Sequence, residues 1–177
     1  DTEHIAIAAL PGMRERTILL DGFSKAYAMT GWRIGYAAAP AHIMEAMLKI
    51  HQYTIMCAGT GPQEAALEAL RHGDEDIKLM HDDYDRRRRM FIAGLNRIGL
   101  PTCEPKGAFY AFPYIGNTGM TDDEFAEKLL FGEQVAVVPG SAFGAAGAGY
   151  VRCAYCTAYD KLEEALLRME RFVKTYA

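Results

Sequence analysis

The sequence has no long hydrophobic run and no strong excess of charge of either sign. None of its apolar stretches reaches the roughly 20 residues that a membrane-spanning helix needs. Its 19 lysines and arginines face 23 acidic residues, which gives a net charge of −4 at pH 7. Such a balance does not produce the basic surface that nucleic-acid binding requires, and the polar residues 1–4 do not begin a signal peptide. We therefore predict neither a membrane protein nor a nucleic-acid-binding protein.

Cysteine is also scarce, with four in 177 residues. Two of them, Cys153 and Cys156, have the C-x-x-C spacing of zinc sites and redox disulfides. They lie in an apolar segment typical of a strand, where positions three apart face opposite sides. The histidines form no ligand pair at i, i+4. We therefore predict reduced thiols, no metal site and a cytoplasmic location.

The most informative stretch of the sequence is residues 21–36. An apolar run at 17–20 predicts a buried strand that leads into it, and residues 34–39 predict a second strand. Ser24 and Lys25 then lie on the turn at the carboxyl end of the first strand, where open α/β sheets bind ligands. Arg33 follows Lys25 by eight positions and is bracketed by Gly31 and Gly35. The sequence thus presents one lysine and one arginine at the rim of one sheet.

The chemistry of these two side chains indicates a ligand. A partly desolvated lysine can become a neutral amine and condense with an aldehyde. An arginine keeps its charge, and its planar fork fits a phosphate dianion. An aldehyde that carries a phosphate is pyridoxal phosphate, which is the cofactor we predict.

The motif Ser24-Lys25-x7-Arg33-x-Gly35 resembles the cofactor-lysine motif of the fold-type I, class I/II aminotransferases, and in particular their bacterial aspartate-aminotransferase-like branch. The resemblance implies that Lys25 holds pyridoxal 5'-phosphate as a Schiff base. It also implies that Lys25 moves a proton between the substrate Cα and the cofactor C4′. Arg33 would neutralise the cofactor phosphate, and Ser24 would donate a hydrogen bond to it.

Arg152 is a second candidate site residue, because it is a lone arginine in the apolar strand predicted at 150–156. Burying it is costly without an anion. A substrate α-carboxylate fits its bidentate geometry, and the resemblance assigns this task to the arginine of this late strand. The alternative is a structural arginine paired with a local acid. Tyr36, Phe109 and Tyr110 are candidates to line the pocket, with a place in the core as the alternative.

The element order predicts the fold class. Two strands, a long helix and then a βαββα pattern indicate a mixed α/β chain: the end of a large-domain sheet of parallel type plus an α+β small domain of a fold-type I pyridoxal-phosphate-dependent transferase. We predict the end of the large domain at 1–73, a linking helix at 74–98 and the small domain at 99–177. Because family members are about twice this length, the resemblance implies a carboxyl-terminal fragment. That fragment alone would be inactive, since the aspartate that pairs with the pyridine nitrogen would lie upstream.

Three functions are compatible with these residues. The favoured one is an aminotransferase, active as a homodimer when full length, that exchanges an amino group between an amino acid and a 2-oxo acid. A carbon–sulfur β-lyase on the same scaffold would share Lys25, Arg33 and Arg152. The third is the non-catalytic aminotransferase-like domain of a transcriptional regulator, which an upstream DNA-binding domain would support.

Several local predictions concern the second half of the chain. Thr121 and Glu124 have the spacing of a capping box that opens a helix. Residues 135–138 predict a buried strand stopped by Pro139, and the Gly/Ala-rich residues 141–149 predict a flexible connection. The four arginines at 86–89 predict a solvated helix face paired with acids at 82, 83 and 85 rather than a polyanion site.

Overall fold

The computed structural model describes residues 4–176. The chain divides into two compact units, and the division falls between Met80 and His81. This point lies inside the long helix α3, Asp74–Arg97. The domain limits that the sequence predicts, at 73/74 and 98/99, remain predictions.

The first unit contains a two-stranded sheet and two helices. The strands are β1, Leu19–Gly22, and β2, Gly35–Ala38. They pair antiparallel, with Leu19 opposite Ala38 and Gly22 opposite Gly35. Both predicted strands are therefore present, each shifted or shortened by one or two residues. The first strand is not buried as predicted, because the described residues leave Leu20 71% exposed. The pair has no parallel neighbour within residues 4–176, so the described strands do not test the larger parallel-type sheet.

Two helices follow the sheet, α1 at Ala41–Thr54 and α2 at Thr60–His72. The second begins two residues before Pro62, which therefore lies inside its first turn, where a missing N–H costs nothing. The unit's buried core is small and consists of Phe23, Met29 and Ala66. Because Ala66 belongs to α2, this helix packs against the connection between β1 and β2.

The second unit contains a three-stranded antiparallel sheet and its covering helices. Its strands are β3, Tyr110–Ala111, β4, Val138–Pro139, and β5, Val151–Ala154, in the spatial order β3-β5-β4. The helices are α4, Asp122–Glu133, and α5, Tyr159–Tyr176. Successive side chains of a strand face opposite sides, so Val151 and Cys153 are buried while Arg152 between them faces the other side of the sheet.

The core of the second unit lies between the sheet and the helices. It is formed by large apolar side chains that are fully or almost fully buried: Leu95, Leu100, Ile115, Phe125, Leu129, Val151, Tyr155 and Met169. Gly94 allows α3 and α5 to pack closely, because a Cβ at this position would lie 2.4 Å from Cδ1 of Leu166. The predicted capping box is confirmed, with Thr121 Oγ1 accepting from the Glu124 N–H at 3.2 Å.

The strand predicted at 135–138 is wrong in its position. The described β4 contains only Val138 and Pro139, and they pair with Arg152 and Val151. Helix α4 ends at Gln134 in the left-handed conformation, φ 57° and ψ 37°. Val135 then packs against the core without a strand partner. Pro139 is tolerated because β4 lies at the edge of the sheet.

The arginine run of α3 is less solvated than predicted. Arg87 and Arg88 are only 21% and 17% exposed. Asp83 pairs with Arg86 and Arg87, and Asp85 pairs with Arg88 and Arg89, whereas Asp82 contacts His81. The predicted pairing of the arginine run is therefore confirmed for Asp83 and Asp85 and is wrong for Asp82. Arg88 also reaches Glu104 at 2.5 Å, which fixes the segment after α3 to the helix.

None of the helices within residues 4–176 combines the length and the hydrophobicity needed to cross a bilayer. The same residues contain no group of three or more His, Cys, Asp and Glu side chains that could hold a metal ion.

Candidate active site

Three of the candidate residues lie in the connection between β1 and β2. Ser24 and Lys25 occupy the turn that follows Gly22, as predicted, and Arg33 ends the 3-10 turn Thr30–Trp32. Two backbone hydrogen bonds close the turn: the Ala28 N–H donates to Lys25 O at 3.2 Å, and the Met29 N–H donates to Phe23 O at 3.3 Å. The buried rings and thioether of Phe23 and Met29 anchor it on α2. Ser24, Lys25 and Arg33 are thus carried by one anchored loop.

A glycine allows the two ends of this connection to approach closely. A Cβ on Gly35 would lie 2.9 Å from the backbone oxygen of Asp21, a separation that Cβ atoms do not tolerate. The opposing Gly22 is less restricted, because a Cβ there would lie 3.4 Å from Ile34 O, at the limit of ordinary contact. The close pairing of β1 with β2 at the rim of the sheet therefore requires a glycine at position 35 of the Arg33-x-Gly35 motif.

Lys25 and Ser24 differ in their exposure. The Lys25 side chain is exposed, and its amine has no hydrogen-bond or ion-pair partner among residues 4–176. Ser24 is half-buried. The desolvation that would favour a neutral lysine is therefore not provided by the described residues. The amine is, however, accessible to a ligand.

Arg33 has an unusual backbone conformation. Its φ of 52° and ψ of 51° lie in the left-handed region, which costs a non-glycine residue about 1–2 kcal/mol. Its Nη1 donates to Thr30 O at 2.9 Å, so the guanidinium folds back over the 3-10 turn. Ala28 shares the left-handed conformation, with φ 53°. Backbone strain of this kind concentrates at functional sites.

Tyr36 lies beside the same loop. Its hydroxyl is 3.4 Å from Asp21 Oδ2, and its ring lies 5.8 Å from that of Phe23. Partial burial, and secondarily the Asp21 carboxylate, raise the pKa of Tyr36 above its ordinary value. Tyr36 is therefore a neutral hydrogen-bond donor at the edge of the connection.

Arg152 lies in the second unit, on the face of β5 opposite to the buried Val151 and Cys153. Its guanidinium carbon lies over two aromatic rings, 4.4 Å from the centroid of Tyr110 and 4.5 Å from that of Phe143. The side chain is half-buried, and no carboxylate within residues 4–176 forms an ion pair with it. The alternative of a structural arginine paired with a local acid therefore finds no partner in the part of the chain that the structure describes.

The segment that carries Phe143 is compact rather than an irregular flexible connection. It forms two 3-10 turns, Gly140–Phe143 and Ala145–Gly147. Gly140 and Gly147 make a backbone contact so close that a Cβ on Gly140 would lie 2.1 Å from Gly147 O. At the start of the first turn, the Ser141 N–H donates to Asp122 Oδ2 at 2.8 Å. The Ser141 hydroxyl and then its N–H hold the pKa of Asp122 below its usual range.

The four cysteines form no disulfide with one another in the structure, and Cys153 is buried while Cys57, Cys103 and Cys156 are exposed. Burial raises the pKa of the Cys153 thiol to about 12. The buried Cys153 is therefore held as a neutral thiol.

The structure brings Ser24, Lys25 and Arg33 together on one loop, and it places Arg152 in the other unit, on a separate sheet. Tyr110, which the sequence offered as a pocket-lining residue, contacts Arg152. Phe109 instead packs against the core beside Tyr84, at a ring distance of 6.2 Å. Phe143 was missed, because an aromatic residue in a Gly/Ala-rich loop has no periodicity that would indicate its contacts.

The comparisons with known proteins concern almost the whole chain. Residues 2–169 match the family model described as aminotransferase class I and II. The chain is 58% identical over 173 residues to the putative aminotransferase YugH of Bacillus subtilis, covering 98% of this chain and 45% of that protein. It is 53% identical over 176 residues to an aspartate aminotransferase of Pyrococcus abyssi, with 98% and 45% coverage.

Solved structures that resemble the chain are also aminotransferases. The crystal structure of an aromatic aminotransferase from Pyrococcus horikoshii superimposes with a TM-score of 0.93 at 53% identity, and the match covers 99% of this chain and 47% of that chain. The chain thus spans about 45% of the length of the curated relatives it matches.

Proposed function

The chain belongs to the class I and II aminotransferase family, and we propose from this membership that the full-length protein is a pyridoxal-phosphate-dependent aminotransferase. It would move an amino group between an amino acid and a 2-oxo acid. The observation that carries the proposal is the anchored loop between β1 and β2, in which Ser24, Lys25 and Arg33 have the family's cofactor-motif spacing.

Lys25 is proposed as the covalent anchor and the proton carrier. Its exposed amine has no partner within residues 4–176, so no ion pair has to be broken before it reacts. The cofactor, when bound, supplies the electron sink for carbanion chemistry. The Lys25 amine would hold the cofactor and would take and return the proton at the substrate Cα. The required desolvation would come from the ligands and from groups outside the described residues.

Arg33 and Ser24 are proposed to bind the cofactor phosphate. A guanidinium forms charge-assisted hydrogen bonds to a phosphate with two parallel donors. Arg33 already uses Nη1 for Thr30 O, so its remaining donors are the ones available to the anion. The left-handed backbone of Arg33 is the strained feature that this role would explain. Ser24, on the same loop, would add a neutral donor.

Arg152 is proposed to bind the α-carboxylate of the substrate. The support is that the described residues leave this half-buried cation without an acidic partner, which is costly unless an anion arrives. A carboxylate accepts two parallel hydrogen bonds from the arginine fork. The carbon–sulfur β-lyase would share Lys25, Arg33 and Arg152, and nothing in the comparisons favours it or the regulator.

The location and the oligomeric state of the full-length protein can also be proposed. We propose a cytoplasmic homodimer, supported by four free cysteines and by large apolar side chains exposed in the first unit, such as Leu20 at 71% and Tyr53 at 94%. Light scattering on the full-length protein would test the dimer, and a monomeric mass would contradict it.

The activity is tested with the full-length protein loaded with pyridoxal phosphate. We expect transamination from an amino donor to 2-oxoglutarate, and we expect Arg152→Ala to raise KM for the donor far more than the cofactor dissociation constant. Equal losses of both would indicate a structural role for Arg152. Release of pyruvate and ammonia from cystathionine without any 2-oxo acid would identify a lyase instead.

A further inference from the structure

Arg152 is held by aromatic rings where an acidic partner would be the common choice. An arginine that needs to be fixed is usually held by a carboxylate, as Arg88 is by Asp85 and Glu104 in this same unit. Around Arg152, the rings of Tyr110 and Phe143 lie 4.4 Å and 4.5 Å from the guanidinium carbon. These distances are within the range of cation–π contacts.

A ring and a carboxylate hold a guanidinium in different ways. A carboxylate occupies the N–H donors and neutralises the charge. A ring contacts the flat face of the guanidinium, so it restricts the orientation and leaves the N–H donors and the charge free. A site that must accept an anionic ligand therefore gains from the ring arrangement, because the ligand does not have to displace a competing acid.

The two rings are themselves held in place. Tyr110 belongs to β3, which pairs with β5 through Tyr110 opposite Ala154. Phe143 is 52% exposed, its ring centroid lies 6.2 Å from that of Phe112, and it ends the 3-10 turn that begins at Gly140. That turn is fixed by Asp122 through the Ser141 N–H and by the contact between Gly140 and Gly147. The position of Phe143 is thus set by its loop.

We propose that Phe143 and Tyr110 form an aromatic clamp that positions the Arg152 guanidinium for a carboxylate ligand. Both are positioning residues, since they act through Arg152. The inference rests on the proposed role of Arg152 in binding the substrate carboxylate. It adds that the loop of residues 140–149, through Phe143, sets how strongly that carboxylate is bound.

Phe143 is the ring to change, because it is exposed and its loss should leave the core intact. In the full-length protein loaded with pyridoxal phosphate, Phe143→Ala should raise both KM for 2-oxoglutarate and Kd for maleate, an unreactive dicarboxylate, by about three- to tenfold. Phe143→Tyr keeps a ring and should retain wild-type values. The matched control is Phe131→Ala, which removes a phenyl ring that is 78% exposed in α4 and should change neither constant.

A double-mutant cycle separates the clamp from a general structural effect. In the Arg152→Ala background, Phe143→Ala should cause no further rise in Kd for maleate, because the ring acts only through the guanidinium. If Phe143→Ala leaves KM and Kd unchanged while Arg152→Ala raises them, the clamp is refuted and the role of Arg152 stands. If Arg152→Ala itself changes neither, the proposed carboxylate site is wrong. Additive losses in the cycle would also overturn the clamp.

Discussion

The close packing of α3 on α5 gives a stability prediction that can be worked out from distances. In Gly94→Ala, the new Cβ would lie 2.4 Å, 2.9 Å and 3.2 Å from the Cδ1, Cδ2 and Cγ atoms of Leu166. Leu166 is only 4% exposed, so it has little room to move away. Overpacking of this kind costs about 1–3 kcal/mol, while alanine in a helix gains up to about 1 kcal/mol over glycine. Subtracting a full gain of about 1 kcal/mol, we expect a net loss in unfolding free energy between about 0 and 2 kcal/mol.

Gly132→Ala is the matched control for helix propensity. Gly132 lies in α4, is exposed, and has nothing within 4 Å of a Cβ. This variant should therefore be neutral or more stable by up to about 1 kcal/mol. Urea unfolding followed by far-ultraviolet circular dichroism would measure both, and the difference between them isolates the packing cost.

The contact with Leu166 can be tested separately. Leu166→Ala removes the atoms that the new Cβ would meet, so Gly94→Ala should become neutral or stabilising in that background. If Gly94→Ala were as stable as Gly132→Ala in the wild-type background, the close approach of the two helices would be wrong.

Three other predictions concern the cysteines, Asp122 and the arginines of α3. Under native conditions a thiol reagent should modify the exposed cysteines but not Cys153, whose burial raises its pKa to about 12; rapid reaction of a fourth thiol before unfolding would contradict its placement. Asp122→Asn should lower stability at neutral pH. The pKa of Asp122 is lower in the folded state than its reference of 3.8. The stabilisation by the carboxylate is therefore fully present above about pH 5 and is lost as the pH falls through the pKa of the folded state. The unfolding free energies of the variant and the wild type should therefore converge in acid. Arg88→Ala should lower the urea midpoint more than Arg89→Ala, since Arg88 is 17% exposed and bonds to two acids while Arg89 is 73% exposed; equal midpoints would show that the Arg88 contacts add nothing.

Much of the helical framework was predictable, because its signals are local. The linking helix predicted at 74–98 corresponds to α3, Asp74–Arg97, and the capping box at Thr121 is present; both depend on spacing along one helix. The loop with Lys25 was predictable for a related reason. A strand that stops at a glycine leaves the next residues on the turn, and the structure has Ser24 and Lys25 there.

The features that the sequence did not predict depend on pairing between distant segments. Val135 has strand propensity, but β4 forms only where β5 offers partners, at Val138 and Pro139. The partial burial of Arg87 and Arg88 depends on how α3 packs in its unit rather than on the local charge pattern. The contact of Phe143 with Arg152 requires both the sheet and the folded loop. Such long-range contacts are not encoded in a short window of sequence.

The central claim is that Lys25 is the residue that binds the cofactor covalently. The direct measurement is borohydride reduction of the full-length protein loaded with pyridoxal phosphate, followed by proteolysis and mass spectrometry of the labelled peptide. We expect the pyridoxyl mass on Lys25 and no stable label in Lys25→Ala, with Lys49→Ala, a change in α1, as a control that retains the label. A pyridoxyl group on another lysine, or its persistence in Lys25→Ala, would show that Lys25 is not the covalent anchor.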